Sequence, residues 1–173
     1  MGPPPVHFKH CPRCGNAGIS LERIKLLCRN CGFTYFFNPT IGTAAFIEND
    51  EREILLITRG KEPAQGRLAP PGGFADYGES AEEALTREVR EETGLTVTSW
   101  AYLTSGVNQY AYAGITYPVI DFFYTARVSS GLNLIPCREE TEGARWHPRD
   151  SVQPRDLAFP SMQAAFRLLI RRH

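Results

Sequence analysis

This chain predicts a mixed α/β domain with a small metal-bound ribbon in its first forty residues. Three observations predict it: paired Cys-x2-Cys knuckles, strand-like runs from residue 40 onward set apart by turn residues, and a strongly punctuated helix over 80–93.

Length and composition bound the reading. With 173 residues, the chain has room for one well-buried domain and something small beside it. Nineteen basic and 19 acidic residues balance. That argues against a protein basic throughout for coating nucleic acid, and against a polyanionic tail. No apolar run approaches the ~20 residues of a membrane span. Residues 1–10 lack a signal-peptide core, and Val6 stands where a myristoylation motif needs Ser or Thr. The expected address is the cytoplasm, with no membrane partner.

In such a compartment Cys11-x2-Cys14-x13-Cys28-x2-Cys31 reads as a tetrahedral four-cysteine zinc site, not as two disulfides. Gly15 and Gly32 follow the second cysteine of each knuckle and suit the turn that aims backbone amides at thiolates. Four thiolates leave no place for His7 or His10. The expected ribbon covers 7–37 and its zinc is structural. Lys9, Arg13, Arg23, Lys25 and Arg29 face one acid, Glu22, over residues 1–40. Two uses are therefore open to it: contact with nucleic acid, or metal-dependent folding followed by packing on a neighbour. The run Phe33-Thr-Tyr35-Phe36-Phe37 reads as a packing strip. Cys137, remote from the knuckles, reads as a small hydrophobe.

Asn38-Pro39 marks the junction, and a second domain is expected over 40–173. Strands are expected over 40–47 and 53–58, with a polar turn between them and a loop at 59–66. In the helix, Ser80 is an N-cap, Glu83 completes a capping box, and Gly94 supplies the left-handed stop. Glu88, Glu91 and Glu92 fall on one face with Ala81, Ala84 and Leu85, while Glu82, Glu83, Thr86, Arg87 and Arg90 form a solvated face. Like charges at this spacing repel, and an inward set calls for a cation. A hard divalent ion such as Mg²⁺ answers with oxygen ligands.

The spacing Gly73-x5-Glu79-x7-Arg87-Glu88-Val89-x-Glu91-Glu92-x-Gly94-Leu95 resembles the full Nudix box, with every fixed position present. The resemblance implies an α/β/α sandwich and an enzyme that hydrolyses a nucleoside diphosphate linked to another moiety. It implies that Glu88, Glu91 and Glu92, with the Gly73 carbonyl, hold Mg²⁺ or Mn²⁺, and that Glu79 and Arg87 brace the loop against the helix. Leu68 and Pro70 depart from the family's Trp and Leu at positions concerned with packing. A late carboxylate six residues before a strand tryptophan, here Glu140 before Trp146, is implied as a further ligand. Glu91 and Glu140 both stand as candidates for the base.

Beyond the helix, strands are expected over 95–104, 115–128 and 143–146, and a loop over 105–114 carries Tyr110 and Tyr112, either of which can stack an adenine. A last helix over 161–172 has Phe166, Leu169 and Ile170 as its core side. A zinc ribbon before a Nudix domain is similar in layout to NADH pyrophosphatases, but their Ser-Gln-Pro-Trp-Pro-Phe-Pro signature is missing after the box. ADP-ribose is therefore the first expected substrate, with NADH or a dinucleoside polyphosphate next. Because the similar pyrophosphatases are dimeric, a homodimer built with the ribbon's aromatic strip is expected. The competing reading is a non-catalytic module that binds a nucleotide or RNA end, against which the intact glutamate set argues.

Overall fold

The computed structural model describes residues 3–22, 24–135 and 141–172. Two compact units divide it: Met1–Thr40 with Gln109–Pro118, and Ile41–Asn108 with Val119–His173.

In the first unit, β1 (Ile19–Glu22), β2 (Lys25–Cys28) and β3 (Thr34–Phe36) form an antiparallel sheet in that order. Leu26 is its buried centre. Phe8, Tyr35 and Phe37 pack on one another, with Phe8 and Tyr35 each placing its ring 5.2 Å from Phe37. Phe36 is half exposed. The aromatic strip is thus partly spent inside the ribbon.

The larger sheet runs β6-β5-β4-β8-β7, and β9 pairs with β5. Its strands are β4 (Thr40–Asn49), β5 (Glu53–Arg59), β6 (Leu68–Ala69), β7 (Ala101–Tyr112), β8 (Ile115–Val128) and β9 (Thr141–Pro148). Side chains alternate across a strand, and the two faces feed two cores. Ala44, Phe46, Ile54, Leu56 and Phe123 meet Phe166 and Leu169 of α2 (Pro160–Arg171). Ala45, Ile47, Leu55 and Tyr124 meet Leu85 and Val89 of α1 (Ala81–Thr93). The α/β/α sandwich is therefore present. No helix among the described residues is long and apolar enough to cross a membrane.

Several expectations need correction. Residues 95–100 lie in no ladder; Leu95 and Val97 turn inward because they cover the α1 core, not because they pair. Trp100 ties this segment to α1 by donating from Nε1 to Thr86 Oγ1 at 2.9 Å. The expected loop 105–114 lies mostly within β7, which turns at Ala113 and Gly114, φ 49° and 79°. Two successive positive φ values suit a tight hairpin. Gly106 marks a close approach, not a turn: a Cβ there would stand 3.3 Å from Ser161 Cβ. Strand β9 exceeds the expected 143–146 at both ends. Ile170 is 42% exposed, because the inward stripe of α2 is Ser161, Ala165, Phe166 and Leu169.

Candidate active site

Helix α1 begins and ends as its residues dictate. Ser80 Oγ accepts from Glu83 N while Glu83 Oε2 accepts from Ser80 N at 2.8 Å, and the Ser80 bonds hold the Glu83 carboxyl below its usual range. Gly94 takes φ 78° at the other end. The loop before α1 is laid along β4 as a short ladder. Ala45 N donates to Pro71 O at 3.0 Å, Thr43 N to Gly73 O at 2.8 Å, and Ala75 N to Ile41 O at 3.0 Å.

Two glycines in this ladder sit where an added Cβ would collide, Gly72 with backbone and Gly73 with a side chain. Gly72 has φ 146°, and a Cβ there would meet the Thr43 carbonyl at 2.1 Å. A Cβ on Gly73 would fall 2.4 Å from the Glu88 carboxylate. Glu88 is therefore seated directly against Gly73, whose carbonyl oxygen accepts from Thr43 N at 2.8 Å and from Thr43 Oγ1 at 3.5 Å.

Arg87 organises the carboxylates. Its Nε donates to Glu79 Oε1 at 2.9 Å, and Nη2 donates to Glu79 Oε2 at 2.9 Å and to Phe74 O at 3.1 Å. Nη1 donates to Glu88 Oε1 at 2.9 Å and to Glu91 Oε2 at 3.2 Å. All five guanidinium protons are thereby engaged. Glu79 above all, then Glu88 and Glu91, raise the Arg87 pKa. In return Arg87, helped by the Asp76 amide, draws Glu79 down to about 2. The expected solvated face thus loses Arg87, which is only 23% exposed and turns back to the glutamates. Its i,i+4 relation to Glu91 was the available signal.

Glu92, 7% exposed, accepts from Gly72 N at 2.8 Å. Glu88 and Glu91 are brought together on Arg87, and Glu92 is directed to the loop amide instead. The Gly72 amide and Thr43, which position this loop, went unnoticed in the sequence. Glu140 lies outside the described residues, as do Glu139 and Cys137. Glu142 instead accepts from Gln65 Nε2 at 3.4 Å. Tyr110 is half-buried and Tyr112 is exposed near the hairpin turn.

The donor chemistry suits a hard divalent ion, since Glu88, Glu91, Glu92 and the Gly73 carbonyl all offer oxygen, while Glu79 is committed to Arg87.

The ribbon cysteines converge more tightly. Cys11, Cys14, Cys28 and Cys31 place their sulfurs within 4.8 Å of one another, the only such ligand cluster among the described residues. Cys11–Cys31 and Cys14–Cys28 sulfurs stand 3.7 Å apart, and none is in a disulfide. A tetrahedron with Zn–S of ~2.3 Å has edges of ~3.8 Å, so these thiols suit one zinc. Gly15 N donates to Cys11 O at 2.9 Å and Gly32 N to Cys28 O at 3.0 Å, with φ 72° and 70° at the two glycines. The Asn16 backbone, then the Asn30 side chain, hold the Cys14 thiol down to about 6.

Known proteins resemble this chain. The NUDIX domain family matches residues 38–169. Over 170 residues the chain is 26% identical to the NAD-capped RNA hydrolase NudC of Pseudomonas aeruginosa, a match covering 95% of this chain and 56% of that one. Over 63 residues it is 44% identical to an ADP-ribose pyrophosphatase of Methanocaldococcus jannaschii, covering 36% of this chain and 37% of the relative. The chain therefore spans 56% and 37% of these two relatives. A solved NUDIX hydrolase from Nitrosomonas europaea shares the fold at a TM-score of 0.68 and 20% identity, over 96% of this chain and 93% of that one. With the family matching most of its length, the chain belongs to the Nudix hydrolase family.

Proposed function

We propose that this chain is a Nudix pyrophosphohydrolase that cleaves a nucleoside diphosphate linked to another moiety, with ADP-ribose first and NADH or a dinucleoside polyphosphate next. The observation that carries the reading is the array of Glu79, Glu88 and Glu91 on Arg87, seated against Gly73. Glu88, Glu91 and Glu92, the Gly73 carbonyl and Glu140 would hold Mg²⁺ or Mn²⁺. Such ions, when bound, polarise the phosphoryl oxygens and lower the pKa of water.

The protein's own groups then have separate tasks. Glu79 and Arg87 fix the loop so that the Gly73 carbonyl and the Glu88 carboxylate keep their spacing. Glu91, 40% exposed on its side chain, is open to solvent as a candidate base for the attacking water, and Glu140 is the other candidate. Hydroxide adds to one phosphorus as the bridging P–O bond breaks. Two phosphate monoesters leave, AMP and ribose 5-phosphate when ADP-ribose is the substrate. Tyr110 or Tyr112 would stack the base. Residues 7–37 would form a ribbon closed on one structural zinc, and 40–173 the catalytic domain, in a cytoplasmic homodimer.

The names of the two relatives support an adenosine-diphosphate substrate. The first also favours a second reading, an NAD-capped RNA end, with which the basic excess of the ribbon agrees. A hydrolysis panel with Mg²⁺ or Mn²⁺ decides: ADP-ribose, NADH, dinucleoside polyphosphates and NAD-capped RNA, scored by release of nucleoside monophosphate. Metal-dependent release from ADP-ribose ahead of the others is expected. Tight binding without turnover of any of them would instead support the binding module.

A further inference from the structure

The core between the larger sheet and α2 is apolar, with Ala44, Phe123 and Phe166 among its buried members. Asp121 breaks that pattern. It lies on β8 two residues before Phe123 and so shares that residue's face of the sheet. It is half-buried, and burial pushes its carboxyl above the ordinary value. A carboxyl in such a place is costly unless its oxygens are bonded. Ser161 Oγ, in the first turn of α2, donates to Oδ2 at 2.6 Å, and the Asn108 side chain bonds Asp121 as well. Ser161 is itself only 6% exposed.

Glycine makes room for this pair. A Cβ on Gly42 would stand 2.5 Å from Asp121 Oδ1, so the carboxyl lies directly over the β4 backbone. That stretch of β4 is the one against which the loop before α1 is laid. Gly42 bridges Phe74, Thr43 N donates to Gly73 O, and Ile41 O accepts from Ala75 N. The start of α2 reaches the same loop by a second route. Ala158 N donates to Leu68 O at 2.8 Å, and Arg67 Nη2 donates to Leu157 O at 3.2 Å. Residues 157–161 are thus bonded to the entry of the loop and, through Asp121, set over its backing strand.

We infer that Asp121 is a positioning residue for the loop that carries Gly73: it fixes the start of α2 over Gly42 and so holds the loop at the spacing that Gly73 and Glu88 keep. The inference rests on the hydrolase of the proposed reading and adds to it a residue outside the Nudix box, on the face of the sheet away from α1. A displacement of about 1 Å in reacting geometry can cost turnover up to about 10²-fold even when its source is remote.

Amide hydrogen exchange tests the assignment, read by mass spectrometry on the full chain without added Mg²⁺ or Mn²⁺, beside turnover of the best substrate of the panel. The variants are Asp121→Ala, Ser161→Ala and the two combined. In each, peptides holding Thr43 and residues 72–75 should exchange about tenfold faster, while those of β5 and the middle of α1 keep their protection. Turnover should fall about tenfold with KM nearly unchanged. The combined variant should match the worse single one, because both remove one bond. Ser161→Ala leaves the carboxyl in place and keeps the test available where Asp121→Ala does not fold.

Equal loosening of β5, α1 and the loop would make the bond a general support of the fold and overturn the inference. Lower turnover or a raised KM with loop exchange unchanged would overturn it as well, since Asp121 would then act on the substrate itself. Natural exchange and turnover in all three variants would do the same. Absence of turnover in the natural protein would instead sink the hydrolase reading, and loop exchange alone would then decide the positioning.

Discussion

The ribbon cysteines and the α1 glutamates are both groups of side chains of kinds that can ligate a metal, yet they are held in opposite ways. The four sulfurs stand at the edge lengths of one tetrahedron, and the two glycine-turned knuckles face each other with matching backbone bonds. The glutamates do not converge on one point. Arg87 holds Glu79, Glu88 and Glu91, and the Gly72 amide holds Glu92. A closed structural site has only to satisfy its ion, so short-range spacing can build all of it. A site that must also take phosphate and water needs its carboxylates braced but not consumed, and that bracing comes from other parts of the chain.

The sharpest way to break this contrast is to neutralise the glutamates one at a time. Glu91→Gln removes a charge that Arg87 offsets, and Glu92→Gln removes a buried one while an amide oxygen can still accept from Gly72 N. Each variant should lower turnover on the best substrate by about 10²-fold or more, with the circular dichroism spectrum unchanged. Near-natural turnover in both would remove these residues from the metal site. The cysteine side should respond in the other direction. Cys28→Ser should lose the single zinc, read by elemental analysis, and open the ribbon to limited proteolysis. Turnover should fall far less than in Glu91→Gln. Protein purified without chelator that carries no zinc would show that the thiol tetrahedron is not a zinc site.

How much could be read beforehand follows the same division. Both knuckles, their glycines, the capping box and the Gly94 stop were legible, because each is decided within a few residues. The strands over 40–47 and 53–58 were legible, while the split of 44–47 between two cores appears only in the fold. What was not legible depended on distant partners. Arg87 looked solvated on a helical projection, and only the Nudix resemblance paired it with Glu79, because its reach to Glu79 and the Phe74 carbonyl requires the loop to fold back. Residues 95–100 alternate like a strand, but alternation reports burial and not pairing. The stretch 105–114 read as a loop, although Gly106 is a close approach to α2 and Asn108 lies within β7.

The mildest test concerns the brace itself. Glu79 takes both Nε and Nη2 of Arg87 and also accepts from the Asp76 amide at 2.9 Å. Its folded pKa is depressed to about 2 from 4.5. A depressed carboxyl stabilises the fold above its unfolded pKa, and that contribution is lost as pH falls through the folded value. The stabilisation should therefore be complete above about pH 5 and fade between about 4.5 and 2. Glu79→Gln cannot make the charged pair, so it should melt below the natural protein at pH 7, by a few degrees at most because the pair is open to solvent. The gap should narrow steadily as pH is lowered into that window. Melting curves at a series of pH values between 7 and 3, at fixed ionic strength, supply the comparison. A gap that stays constant with pH would mean that Glu79 acts through shape and hydrogen bonding alone, and that its charge adds nothing to the brace.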